Sequence, residues 1–283
     1  KTEIKFELDK KNQPENIVFK TTKSSNKLIE EFMLLANKKV AEKMRKSKER
    51  FVYRVHDQPD QEKLKNLQTV VKRLGYNLKL SSNELNDSLN SLLKKAFGKN
   101  EQNLIDTLMI RSMSKAEYTT KNIGHYGLSF ENYTHFTSPI RRYPDVMVHR
   151  LIQAEIEGEK IKTDETETLC KHSTHMEILA TKAERDSVKL MQIKFMKDKE
   201  GKTFDAVISG VVARGVFVEV IENKCEGLVK AKDLPGDFYV HDEKNHRFVG
   251  EKTGKKYQLG DKTRVMLIKA DQIKKRLDFQ VLS

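Results

Sequence analysis

Hydrophobic positions change their period several times along the chain, and each change marks a predicted element. Ile4, Phe6 and Leu8 alternate with polar residues, Asn12–Pro14 reads as a turn, and alternation returns over Asn16–Phe19, so the chain opens on a β-hairpin. That hairpin begins at the first residue with no Met before it, and we expect further sheet upstream in a longer parent protein. From Ser24 the period is helical: Leu28, Ile29, Phe32, Met33, Ala36, Val40 and Met44 share a face, behind the N-cap candidates Ser24, Ser25 and Asn26. The run FVYRVHD, 51–57, predicts a strand. A helix follows with Pro59 in its first turn and Gly75 at its end, and two more are predicted over 82–97 and 101–115. Residues 116–139 mix aromatics, Gly and Thr, giving strand and loop.

Helical period resumes from Pro144 to about Glu157. After a polar link at 158–163 it returns over 164–196, with Leu169, Met176, Leu179, Ala183, Leu190 and Ile193 as the inner stripe. From Thr203 the pattern is all β. Short alternating strands with Gly210, Gly215, Gly227 and Gly260 at the bends, interrupted by a looped insert, predict a small closed barrel. The fold class is therefore α+β, with a mixed domain over 1–195 and a barrel over 196–283.

Charge adds a partner to this outline. The chain carries 54 Lys+Arg against 41 Asp+Glu, a formal net charge of +13. Residues 196–283 hold 18 basic and 14 acidic side chains, leaving 36 and 27 on residues 1–195, so both parts are basic and a polyanion such as nucleic acid is the expected partner. No apolar run approaches the ~20 residues needed to span a bilayer, so no membrane partner is expected. Cys170 and Cys225 lie far apart without CxxC spacing, which fits a reducing, cytoplasmic setting.

The stretch HFTSPIRRYPD, 135–145, concentrates the candidate chemistry. Pro144 lies too deep to share a helix with Ser138 and Pro139, because an interior proline loses a hydrogen bond and clashes with the preceding turn. A tight turn across 139–143 followed by a fresh helix at Pro144 is the expected geometry. Arg141 and Arg142 then sit at a helix entrance, where cations oppose the macrodipole unless an anion is present. Being adjacent they cannot both face one point. Either one of them serves a phosphate or both pair with neighbouring acids.

With these residues in view, HYGLSFENYTHFTSPIRRYPDVMVHRLI resembles the C-terminal half of the RNB catalytic domain in the RNase II and RNase R family of exoribonucleases. LIEEFMLLANKKVAE is similar to a helix of the same domain, and EGLVKAKDLPGDFYVHDEKNHRFVGEKTGKKYQLGDKTRV to the RNA-binding barrel that follows it, an OB-fold of the ribosomal S-one type. The resemblance implies a processive 3′→5′ exoribonuclease that releases nucleoside monophosphates from single-stranded and structured RNA with a free 3′ end. It also implies magnesium held by aspartates, and we expect a monomer. The match makes Arg141 the residue that contacts the scissile phosphate, with Ser138, Tyr143 and Glu184 near the substrate and Tyr126 and Phe130 as possible channel wall. Glu30 matches a glutamate near the terminal nucleotides, uncertain by one position against Glu31; a carboxylate there could accept from a ribose 2′-OH.

One departure is plain. The family's aspartate run has no equivalent here, and Asp145 carries no sign of being a metal ligand, so magnesium is expected in an intact parent with its ligands outside this chain. The chain alone is then expected to bind RNA without cleaving it. A catalytically silent RNA-binding protein on the same scaffold is the alternative, and DNA binding a further one. On the barrel, Phe204 and Phe217 match positions that show RNA-facing aromatics in this barrel type, with His241, Arg247 and the basic 252–256 cluster as phosphate contacts; core packing is the competing reading for each Phe. Cys170, His172, His175 and Glu177 do not form a convincing zinc spacing, and VGEKTGKK lacks the spacing of a phosphate-binding loop.

Overall fold

The computed structural model describes residues 2–46, 50–81, 84–99, 101–159 and 164–282. The expected polar link at 158–163 and the start of the helix expected from 82 fall largely outside them. Contacts group the chain differently from a single cut near 195. One compact unit gathers Thr21–Asp60 and Met113–Glu184; the other gathers Thr2–Lys20, Gln61–Ser112 and Arg185–Ser283.

The first unit is built on α1 (Ser24–Met44), the antiparallel pair β3 (Tyr53–His56) and β4 (Ala116–Thr119), α5 (Tyr143–Glu157) and most of α6 (Thr166–Met196). Its core joins Met44, Phe51, Val52, Val55, Tyr118, Met147, Val148 and Cys170. The cap of α1 differs from expectation: Lys23 is the N-cap, and the Asn26 side chain accepts from its N–H at 3.0 Å. The apolar stripe of α1 is buried only near the C-terminal end, at Ala41 and Met44 with the polar Asn37, while Leu28, Ile29 and Phe32 are exposed. The stripe of α6 behaves likewise, since Ile193 is buried and Met176 and Leu179 are exposed. Helical period records which face is apolar, not whether something covers it.

α5 begins at an extended Arg142 N-cap with Pro144 in the first two helical positions, where a missing N–H costs nothing. It ends at Gly158 in the left-handed region, φ 70°.

The second unit contains the hairpin β1 (Thr2–Leu8) and β2 (Pro14–Thr21), the helices α2 (Gln61–Arg73), α3 (Leu85–Ala96) and α4 (Gln102–Ser112), and the barrel. Pro59 lies ahead of α2 and not in its first turn. The barrel closes in the order β11 (Lys262–Asp271), β12 (Arg276–Val281), β7 (Glu226–Lys230), β6 (Gly215–Val220) and β5 (Thr203–Val212). Gly215 is required at its bend: φ is 150°, and a Cβ there would lie 2.0 Å from the Val229 carbonyl oxygen. Gly227, expected at a bend, instead lies within β7, where the close approach of Leu277 and Phe279 leaves no room for a side chain. The insert is also more ordered than a loop. It forms a three-stranded antiparallel sheet of β8 (Tyr239–Asp242), β9 (Arg247–Gly250) and β10 (Lys256–Gln258), with Tyr239, Phe248 and Tyr257 joining the barrel core.

Candidate nucleic-acid interface

The segment leading to the paired arginines is fixed from several sides. The Tyr133 carbonyl accepts from the Arg54 N–H at 2.9 Å, and Thr134 Oγ1 donates to the Val52 carbonyl at 2.7 Å. Asn37 Oδ1, from α1, accepts from the N–H groups of Phe136 at 2.9 Å and Thr137 at 3.2 Å. The Phe136 ring stacks on His149 at 4.2 Å. Finally Ser138 N–H donates to Asp145 Oδ1 at 2.8 Å, and the Ser138 carbonyl accepts from the N–H groups of both Arg141 and Arg142, closing the turn.

On that turn the two arginines part company. Arg142 Nη2 donates to Asp145 Oδ1 at 2.8 Å, and Asp145 is fully buried. A buried carboxylate without a counter-charge is costly, so Arg142 is committed to the fold. Arg141 is exposed instead: among the described residues its side chain makes a long 3.5 Å contact to Ser138 Oγ and no carboxylate pairs with it. A fully charged guanidinium is thus presented to solvent from a strapped turn beside the N-terminus of α5. That arrangement suits a phosphate, which a guanidinium can meet with two parallel donors. Ser138 acts here through its backbone as the turn's anchor, while Tyr143 is about half exposed in the first turn of α5.

Behind the turn lies a polar layer that the sequence reading missed. Arg54 binds Glu177 of α6 through two bonds of 2.7 and 3.1 Å and stacks over Tyr118, 4.6 Å from the ring centroid. Tyr118 Oη lies 2.8 Å from His135 Nδ1. Burial, reinforced by Arg142 and Arg54, drives the His135 pKa down to about 2, and burial with His56 takes His125 to about 4, so both imidazoles are neutral. Burial lifts Tyr118 to about 12, so its hydroxyl stays protonated beside His135 Nδ1. The sign of the pH effect follows. The unfolded chain takes up protons below about pH 6.5 where the folded chain does not, so stability is lost as pH falls from there toward the folded values. Melting temperature is expected to fall between pH 6.5 and 5, and His135→Gln, which keeps an acceptor for Tyr118, should flatten the slope measured by thermal unfolding.

Glu30 and Glu31 on α1 and Glu184 on α6 are exposed. No hydrogen bond or ion pair among the described residues joins them to Arg141. Phe130 lies under Lys38, whose ammonium is 4.8 Å from its ring centroid, and Tyr126 is half-buried.

On the barrel three expectations need correcting. Phe204 is 8% exposed and packs in the core, because residues of β5 alternate inward and outward and position 204 falls on the inner set with Ala206 and Ile208. His241 lies on the inner face of the insert, its ring 5.1 Å from Phe248, for the same reason. Arg247 is half-buried and held by Asp242 at 2.9 Å, so it is a poor free phosphate contact. Phe217 does face outward. Its ring rests over Gly210, beside a β-bulge, with the Arg214 guanidinium 5.5 Å from the ring centroid. Strand register places Phe217, Leu228 and Asp278 in one row, and Leu228 and Asp278 border a groove of about 700 Å³ lined also by Lys230, Lys232, Asp233, Lys269 and Arg276, of which Arg276 pairs with Asp278 and Lys269 with Asp271. An aromatic beside a cationic groove is the arrangement single strands require. Phe217→Ala is expected to weaken RNA binding by ~1–3 kcal/mol at unchanged stability, whereas Phe204→Ala should cost ~3–5 kcal/mol of fold; fluorescence anisotropy and denaturant unfolding separate the two.

The magnesium implied by the resemblance finds no donor set here. Among the described residues no group of three or more His, Cys, Asp and Glu converges; Asp145 Oδ1 is taken by Ser138 N–H and Arg142, and its Oδ2 is buried without a hydrogen-bond partner. Of the would-be zinc ligands, Cys170 is buried with its thiol pushed up to about 12, and Glu177 is held by Arg54.

Comparison with known proteins identifies both parts of the chain. The RNB domain model matches residues 1–158, and the S1 RNA binding domain model matches residues 197–282. The chain belongs to the RNB family, in its RNase R-like form with an OB-fold S1 domain. Ribonuclease R of Aquifex aeolicus is 40% identical over 262 residues, covering 91% of this chain and 37% of that protein. Ribonuclease R of Escherichia coli is 33% identical, covering 99% and 36%. The solved structure of Mycoplasma genitalium RNase R in complex with ribose-methylated single-stranded RNA superposes with a TM-score of 0.91 at 27% identity, over 100% of this chain and 45% of that one. Yeast Ssd1, described as a pseudonuclease, gives 0.61 at 25% identity over 78% and 28%. The chain therefore spans less than half the length of these relatives.

Proposed function

We propose that this chain is the substrate-gripping part of a hydrolytic 3′→5′ exoribonuclease acting on RNA with a free 3′ end in the cytoplasm. The observation that carries the proposal is the division of labour between Arg142, tied to buried Asp145, and Arg141, free on a strapped turn. In this reading Arg141 meets the phosphate at the scissile bond, and its charge stabilises the negative charge that develops there. Glu30 accepts from a ribose hydroxyl, Glu184 and Tyr143 border the same strand, and Phe217 with the barrel groove binds RNA in its own right. Magnesium, processive release of nucleoside monophosphates and action as a monomer belong to the whole protein in this proposal. No step is assigned to the metal, because the described residues offer it no site.

A second reading has its own support. The likeness to a pseudonuclease, which spans 78% of this chain, fits an RNA-binding protein that does not cleave. A 5′-labelled single-stranded RNA incubated with magnesium and a protein of the relatives' length containing this chain separates them. Progressive shortening from the 3′ end supports the exonuclease, and tight binding of intact RNA supports the silent binder. Equal binding of RNA and DNA without cleavage overturns both.

A further inference from the structure

Asn37 is a polar side chain in a place that helix energetics would give to an apolar one. It lies on the buried face of α1 with Ala41 and Met44, and is 3% exposed. A mid-helix asparagine has modest helix propensity, and burying its amide is costly unless it is bonded. It is bonded on both ends. Oδ1 takes the N–H groups of Phe136 and Thr137, and Nδ2 donates to Tyr133 Oη at 3.1 Å. Those partners lie 96–100 residues away, directly ahead of Ser138 and the arginine turn.

The position along α1 carries the argument further. Glu30, Asn37 and Met44 are spaced by seven, so they lie on one line of the helix, with Glu30 about 10 Å up the axis from Asn37. Glu31 projects some 120° away from that line. A rigid helix therefore ties the exposed carboxylate of Glu30, at a fixed spacing, to the backbone segment that carries Arg141. Resting on the functional reading above, we propose that Asn37 is a positioning residue. It sets the register between the ribose-facing end of α1 and the phosphate-facing turn, and so governs the preference for ribose over deoxyribose at the 3′ end. A ribose hydroxyl and its neighbouring phosphate are at a fixed separation, so a shift of about 1 Å between their two receptors is enough to lose one of them.

The test uses the 283-residue chain and fluorescence anisotropy with a single-stranded RNA, compared with the same strand carrying 2′-deoxy sugars at its 3′-terminal nucleotides. Wild type is expected to favour ribose about tenfold, the worth of one hydrogen bond to a carboxylate. Asn37→Ala should reduce that ratio to within about twofold. Asn37→Asp keeps an acceptor for both N–H groups and should retain it. A merely structural role would weaken both strands alike and leave the ratio at its wild-type value; that result in Asn37→Ala overturns the proposal. Should Asn37→Ala not fold, Asn37→Ser, whose hydroxyl is too short for both N–H groups, is read by the same criterion. A wild-type chain without ribose preference overturns the role of Glu30 itself, and so is distinguishable from failure of Asn37 alone.

Discussion

Arg141→Ala is expected to lower the rate of RNA degradation by ~10²–10³-fold, the usual loss when one preorganised donor to a developing charge is removed. Equilibrium RNA binding should change by only a few fold, because the barrel groove and Phe217 are untouched. Thermal stability should stay within about 0.5 kcal/mol of wild type, since Arg141 is exposed and bonded only weakly to Ser138. Rate and affinity are measured on a protein of the relatives' length that contains this chain, and stability on the chain itself. A degradation rate equal to wild type would remove Arg141 from the chemistry.

The adjacent substitution has the opposite profile. Arg142→Ala leaves Asp145, fully buried, without its cation. Losing one partner of a buried pair costs ~3–5 kcal/mol, visible as an earlier denaturant midpoint at an unchanged slope. Asp145 also anchors Ser138 N–H, so the turn that presents Arg141 loosens as well. Two neighbouring arginines, equal in charge and one position apart, are thus separated by experiment into a residue of the site and a residue of the fold. Stability equal to wild type in Arg142→Ala would mean that the buried carboxylate finds another partner.

Much of this fold is legible in the pattern of the chain. The alternation at Ile4, Phe6 and Leu8, the helical period after Ser24, the Pro144 start of α5 and the short strands after Thr203 all emerge as read. The failures have physical causes. Period two locates Phe204 on a strand but does not say which of the two faces turns inward; the barrel's closure decides that. The apolar stripes of α1 and α6 give a face without its cover: Leu28 and Phe32 share the apolar face of α1 yet are exposed, and Met176, expected on the inner stripe of α6, is exposed as well. His241 and Arg247 looked like free phosphate contacts because nothing local reveals that the insert is a sheet with an inner face and an Asp242 partner.

The site was readable where its chemistry is local. That one of two adjacent arginines must turn away follows from backbone geometry, and the structure shows which. Asn37, Arg54, Tyr118 and His135 were not readable, because their partners lie 17 to 123 residues away in sequence and become neighbours only through tertiary folding.

The central claim is that the Arg141 guanidinium receives an RNA phosphate. A crystal structure of this chain with a short single-stranded RNA ending in a free 3′ hydroxyl tests it most directly. The account predicts both Arg141 Nη atoms within about 3 Å of phosphate oxygens near the 3′ end, with Arg142 still on Asp145. An RNA strand bound elsewhere, with Arg141 left in solvent or turned onto a carboxylate of its own chain, would contradict it.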